Sequence, residues 1–224
     1  MTGRLQGKSV LLTQADAYMG PAIEKLFRAE GARVVSDVSD LTAPGSAERA
    51  VAAAGSIDVL VANLAHPAVP QSVDAIEDQH WHALFAALVH PLMQLVRAAA
   101  PAMIRAKQGK IVAITSAAPL RGIANTSAYC AARGAQNAFV RAAGLELAAH
   151  NVQFNAVAQN YVENETYYPK DLLASERFQK HLARNVPLGR VAHGWESAEL
   201  ALFLASDKSD FLVGQAVPFA GGWA

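Results

Sequence analysis

The stretch "LLTQADAYMGPAIEKL", Leu11 to Leu26, runs from an apolar strand through a polar turn into an amphipathic helix. The three follow one another as in a dinucleotide-binding βα unit, a turn that needs glycine where backbone must approach a pyrophosphate. Here Gln14 and Tyr18 stand where glycine is expected, and only Gly20 remains. The unit places the chain in the α/β class and leaves a question about what the turn now does.

Outward from it, short apolar runs alternate with helical patterns to the end. Strands are expected at Ser9–Leu12, Arg33–Val38, Asp58–Ala62, Lys110–Thr115, Val152–Ala158 and Gln215–Phe219. Helices are expected at Pro21–Glu30, Ser46–Ala54, Val73–Ala106, Thr126–His150 and Trp195–Ala205. This rhythm predicts one Rossmann-like, doubly wound parallel sheet of about six to seven strands with helices on both faces. Ligands then bind beyond the carboxyl ends of the strands, near Thr13, Asn63, Ser116 and Gln159. Pro91 should kink or divide the long central helical region. Residues 159–194 are the least regular part and are expected to form a binding loop and lid over a single domain, residues 1–224.

With 19 Lys+Arg against 19 Asp+Glu and no basic run, a nucleic-acid surface is not expected. The lone Cys130 excludes an intramolecular disulfide framework, and no stretch reads as a signal peptide. The most hydrophobic stretch, Ala83 to Ile104, is interrupted by His90, Pro91, Gln94 and Arg97, so it reads as a buried or interface helix and the expected location is cytoplasmic.

The chemistry sits in "ITSAAPLRGIANTSAYCAARGAQNAF", Ile114 to Phe139. Ser116 closes a strand, and Tyr129 and Arg133 stand four apart on the next helix, hence on one face. Free tyrosine titrates near pH ~10 and is a poor base at neutrality, but a neighbouring guanidinium favours phenolate.

Ser116, twelve residues, Tyr129 and a basic residue four on is spacing that resembles the short-chain dehydrogenase/reductase superfamily. The likeness extends over "DVLVANLA" at 58–65, "FNAVAQN" at 154–160 and "LVGQAVPFAGG" at 212–222. Superfamily dehydrogenases carry Lys where this chain has Arg133, a residue that cannot relay protons because its pKa stays above ~12. Their Thr-Gly-x-x-x-Gly-x-Gly turn is Thr13 to Gly20 with one glycine, and their Pro-Gly after the strand is Gln159-Asn160. Their central-helix Asn is absent from "AALVHP", 86–91. Only about twenty residues separate the second strand from 58–65, room for one helix. One edge strand should therefore be short or missing.

Thr13, Tyr18 and Gly20 followed by Ser116, Tyr129 and Arg133 resemble the halohydrin dehalogenases, and the short chain with "NYVENETYY" most resembles their B-type branch. The resemblance implies a cofactor-independent lyase with Ser116, Tyr129 and Arg133 as catalytic residues. It places a halide near Tyr18, Gln159, Asn160, Tyr161 and Val162, and the substrate near Pro119, Leu120 and Asn125. It also implies a homotetramer through the helices at 73–106 and 126–150, with Trp81 and Phe85 as interface residues, and no cofactor or metal. The rival expectations are an NAD(P)-dependent oxidoreductase that tolerates Arg133 and a non-catalytic ligand-binding relative. Asp37, where an NAD enzyme holds ribose, reads here as a solvated turn residue. His80, His82 and His90 lack the spacing of a helical metal pair, and Cys130 points about 100° away from Tyr129.

Overall fold

The computed structural model describes residues 3–224. Its elements alternate as the sequence predicts: β1 (Ser9–Thr13), α1 (Gly20–Ala29), β2 (Arg33–Asp37), α2 (Ser46–Ala54) and β3 (Val59–Asn63), then α3 (Asp78–Leu84) and α4 (His90–Ala106). There follow β4 (Gly109–Ser116), α5 (Ala118–Arg121), α6 (Ser127–Ala148), β5 (Val152–Gln159), α7 (Lys170–Ala174), α8 (Glu176–Asn185), α9 (Gly194–Ala205) and β6 (Ala216–Phe219). The strands pair in parallel, in the order β2-β1-β3-β4-β5-β6. A single strand lies outside β1, as the short interval before residue 58 predicts.

Alternation along each strand divides two cores. Leu11, Leu60, Ile111 and Phe154 face α2, α4 and α6, whereas Val10, Val59, Val61, Val112 and Val157 face α1 and α9. Fully burying one such side chain contributes about 1.5–3 kcal/mol. In α1, Ile23 and Phe27 stand four apart and are both buried, and Pro21 in the first turn has its φ preset for a helix.

Asp78 to Ala106 is one apolar helical run, long enough by composition to span a bilayer. Leu84, Leu88, Leu92, Leu95, Ala99 and Met103 bury one stripe of it against the sheet, which makes it a core helix. The expected division at Pro91 takes the form of a π-helical turn, Phe85–Val89, just before it, which accommodates the N–H that proline lacks. The expected start at Val73 is instead a separate 3₁₀ turn, Val73–Ala75.

The 159–194 segment is more regular than its composition suggests. It contains α7 and α8, and α8 starts where Ser175 Oγ accepts from Phe178 N at 3.3 Å. Phe178 and Leu182 of α8 pack with Tyr161, Val186 and Trp223 in a small third core.

Candidate active site

The carboxyl ends of β1, β3, β4 and β5 bring Thr13, Asn63, Ser116 and Gln159 to one edge of the sheet. Thr13 Oγ1 donates to the Asn63 carbonyl and accepts from its N–H, both at 3.1 Å, tying β1 to β3 where the strand order reverses. Gln14 (φ 44°) and Tyr18 (φ 55°) are left-handed, so the turn keeps the backbone shape of glycine while carrying side chains. Such strain persists where the surroundings over-determine it.

Those surroundings are visible. Asn63 Nδ2 donates to the carbonyls of Gln14 and Ala17 at 2.9 and 3.0 Å, and Gln14 Oε1 accepts from Ala65 N at 2.8 Å. The N–H groups of Ala15, Ala17, Met19 and Gly20 go to Asp37 O, Gln14 O, Asn63 Oδ1 and Ala17 O. A pyrophosphate cradle needs such amides free, and these four are already taken by acceptors of the protein. Gly20 survives for another reason: a Cβ there would lie 2.5 Å from the carbonyl oxygens of Gln14 and Ala15. Asp37 departs from its expected solvated state, because Oδ2 is buried without a hydrogen-bond partner while Oδ1 accepts from Ser39 Oγ at 2.9 Å.

Beside the turn lies a cavity of about 160 Å³, lined by Ser116 and by all five tyrosines of the chain: Tyr18, Tyr129, Tyr161, Tyr167 and Tyr168. Ser116 Oγ accepts from Ala118 N at 3.0 Å, which leaves its hydroxyl hydrogen for another acceptor. Arg133 sits behind Tyr129 with no solvent exposure. Its Nε donates to Tyr129 Oη at 3.0 Å, Nη1 to Gln136 Oε1 at 2.9 Å and to Ile114 O at 3.3 Å, and Nη2 to Tyr167 Oη at 3.0 Å. Gln136 ties the guanidinium to the π-helical turn, donating to the Leu88 carbonyl at 2.7 Å.

No carboxylate pairs with Arg133 among the described residues. An unpaired buried charge is costly unless hydrogen-bonded throughout. Burial acts to lower the Arg133 pKa, but the oxygens of Tyr129, Tyr167 and Tyr18 more than offset it, and the net direction is up. The guanidinium is a permanent positive charge. Burial pushes the Tyr167 hydroxyl up to about 12 and raises Tyr18, Tyr161 and Tyr168 as well.

Tyr18, Gln159, Asn160, Tyr161 and Val162 all line the cavity. Asn160 Oδ1 accepts from Tyr161 N at 2.9 Å and Tyr168 Oη at 2.6 Å. Because an N–H can only donate, this fixes the amide orientation and leaves Nδ2 without an acceptor among the described residues. The Val162 N–H is likewise unused. Tyr161 N is not, and Gln159 Oε1 is taken by Ser197 Oγ at 2.6 Å. Tyr161 is a further left-handed residue, φ 55°.

Pro119, Leu120 and Asn125 do not line this cavity. Leu120 and Asn125 are exposed, because α5 turns outward on Gly122, and their neighbours Ala118, Ile123 and Thr126 line the wall instead. An outer chamber of about 620 Å³ continues from Ile123, Asn160, Tyr161 and Tyr168 to α8 and Trp223. Trp223 is buried within its own chain, under Arg121 and edge-on to Tyr161. Sequence reasoning missed Tyr167 and Gln136. Gln136 could have been found from its place three residues after Arg133 on the buried stripe of α6, but nothing local marks Tyr167. No metal-ligating cluster of His, Cys, Asp and Glu occurs among the described residues.

A family model described as enoyl-(acyl carrier protein) reductase matches residues 4–224. The chain is 30% identical to sorbitol dehydrogenase of Cereibacter sphaeroides and to L-xylulose reductase of Bos taurus, with 98% of each chain covered in both cases. Among solved structures, one titled "Dehalogenation enzyme" superposes with a TM-score of 0.91 at 31% identity over 100% of both chains. A halohydrin dehalogenase bound to ethyl (2S)-oxiran-2-ylacetate superposes with a TM-score of 0.86 at 27% identity, covering 95% of this chain and 96% of its own. With its six-stranded parallel sheet and a family match along almost its whole length, the chain belongs to the short-chain dehydrogenase/reductase superfamily.

Proposed function

We propose that the protein is a cofactor-independent halohydrin dehalogenase. The observation that carries the reading is Arg133, fully buried, without a carboxylate, and bonded to Tyr129 at the wall of a small cavity. A base that must exist as phenolate needs a cation that nothing else neutralises.

In the proposed reaction Tyr129 takes the proton of a vicinal halohydrin hydroxyl while Ser116 Oγ donates a hydrogen bond to the same oxygen. The alkoxide attacks the adjacent carbon, the carbon–halogen bond breaks, and the halide leaves with the bonding pair to give an epoxide. The nucleophile and the carbon it attacks belong to one molecule, so proximity is already covalent. What remains for the site is deprotonation and stabilisation of the departing charge. The Asn160 Nδ2 and Val162 N–H donors and the Tyr18 ring supply that stabilisation without a second cation. In reverse, a small anion such as azide, cyanide or nitrite opens the epoxide. The dehalogenation and halohydrin dehalogenase neighbours support this reading, and the second of them holds an epoxide.

The test is release of halide and protons from a short vicinal chloro- or bromo-alcohol with no nucleotide added. Tyr129→Phe and Ser116→Ala should each nearly abolish it. Wild-type-like release from either variant would remove that residue from its role. A second reading, an NAD(P)-dependent oxidoreductase, is favoured by the buried, unpaired Asp37 Oδ2 and by the dehydrogenase relatives. It requires stoichiometric nucleotide binding, which calorimetry measures directly.

We also read the chain as a single domain whose 159–194 segment carries the halide and substrate contacts, and as a cytoplasmic homotetramer. The exposed Trp81, stacked on Phe85 at 5.0 Å, supports an interface at 73–106. Light scattering gives the assembly mass.

A further inference from the structure

Two tyrosine hydroxyls share the Arg133 guanidinium, and their hydrogen-bond valences differ. Tyr167 Oη accepts from Arg133 Nη2 at 3.0 Å and from His66 N at 3.1 Å, and it donates to the His66 carbonyl at 3.0 Å. A hydroxyl has one hydrogen and two lone pairs. Tyr167 has therefore spent all three and has nothing left for a substrate. Tyr129 Oη accepts from Arg133 Nε and keeps its remaining capacity at the cavity wall.

We infer that Tyr167 is a positioning residue: it holds one arm of Arg133 in place while its own proton stays committed to His66, so that the guanidinium's charge acts on Tyr129. A phenol suits this task better than a carboxylate would. An anion on the same guanidinium would neutralise the charge that a Tyr129 phenolate needs. Burial pushes the Tyr167 hydroxyl up to about 12, in keeping with a group that retains its proton. The contact also spans elements. Tyr167 lies on the segment after β5, where Asn164 Oδ1 accepts from its N–H at 2.8 Å, while His66 follows β3 and Arg133 lies on α6. One hydroxyl thus registers three parts of the fold around the proposed base. The inference rests on the reading in which Tyr129 is that base.

The titratable and charged groups around the pair are Arg133 on α6, Tyr18 from the first turn, Tyr161, Tyr167 and Tyr168 from the segment after β5, and His66 after β3. Burial, His80 and Arg133 lower the pKa of His66, so it is neutral where tyrosines titrate.

Because every tyrosine of the chain lines this cavity, tyrosinate absorbance reports on the site alone. The experiment is a substrate-free alkaline absorbance titration of the wild type, Tyr129→Phe and Tyr167→Phe. The step that Tyr129→Phe removes from the wild-type curve identifies the proposed base. Tyr167→Phe should keep the step but move it upward by about one unit, tenfold in proton affinity. The Phe ring preserves packing on Tyr18 and Tyr129, and a thermal melt verifies the fold. A step that Tyr167→Phe leaves unmoved, or removes, would overturn the inference. Gln136→Met loosens the opposite arm of the same guanidinium, and a shift there without one in Tyr167→Phe would overturn it too. Halide release is measured in parallel. Its absence from the wild type would sink the dehalogenase reading and leave the titration result intact.

Discussion

Arg133 Nε donates to Tyr129 Oη at 3.0 Å across one turn of α6, and the pair is walled off from solvent on the arginine side. The spacing of four residues makes the contact possible, and the absence of a competing carboxylate leaves the charge available to it. A lysine at this position could not bond Tyr129, Tyr167, Gln136 and Ile114 together, because it lacks the planar fork. Arg133→Lys should therefore reduce turnover by at least about tenfold, since one hydrogen bond to a charged group contributes about 1.5–3 kcal/mol. The alkaline limb of the pH–rate profile should also move. An identical profile and rate would remove Arg133 from the proposed role.

Ser116→Ala separates stability from activity. The Ala118 N–H loses its acceptor, a cost of about 1–3 kcal/mol for a buried donor. Turnover should fall by about a hundredfold or more through loss of the donor to the reacting oxygen. Chemical denaturation and initial rates on the same preparation check both numbers.

Gly20→Ala should destabilise the fold by about 1–3 kcal/mol, the usual cost of overpacking. The added Cβ would fall 2.5 Å from two carbonyl oxygens of the turn, and backbone cannot swing aside as a side chain can. A denaturation midpoint equal to the wild type's would show that the turn is looser than its hydrogen bonds imply.

Tyr18→Gly should destabilise the fold by about 1–4 kcal/mol, the cost of truncating a core-packed aromatic less the backbone relief, and weaken anion binding. Relief of the left-handed φ gains about 1–2 kcal/mol. Loss of the tilted contact with Tyr167, at 5.1 Å between centroids, costs about 0.5–1.5 kcal/mol. Thermal melting and bromide inhibition measure the two effects separately.

Glu196 carries an acid-dependent part of stability at the start of α9. Its side-chain bonds to Arg190, at 2.7 and 2.8 Å, and to the His193 N–H hold its pKa down at about 2, against an ordinary 4.5. The folded value lies below the unfolded one, so the contribution is complete above pH 4.5 and is lost as pH falls toward 2. The group is close to solvent, and screening keeps the contribution to about 1 kcal/mol or less. Glu196→Gln should be less stable than the wild type at neutral pH and equal to it near the acid end. A constant gap across that range would refute the linkage.

Much of this architecture is legible in the chain because it rests on local periodicity. Short continuous apolar runs such as Val10-Leu11-Leu12 and Val59-Leu60-Val61 mark strands buried on both faces, and the fold sends their alternate residues to two cores. The four-residue spacing of Tyr129 and Arg133 brings them together on any helix. The helix α8 escaped notice because its sequence, "ERFQKHLARN", offers only Phe178 and Leu182 as apolar signal. Pro119, Leu120 and Asn125 lie outside the cavity wall for a related reason: the direction of a short helix such as α5 is set by what it packs on, which no local pattern encodes.

The strand–helix alternation, the single strand outside β1, the loss of glycines from the first turn and the Ser116, Tyr129, Arg133 spacing are all written locally in the chain. Each depends on neighbours within a few residues or on the length of an interval. It takes the packed fold for Asn63 and Gln14 to close the turn from within, for five tyrosines to meet at one cavity, and for Tyr167 to reach Arg133 from 34 residues away. Those contacts follow from where separate strands end at the sheet edge, and a hydroxyl finds its partner there through three dimensions rather than along the chain.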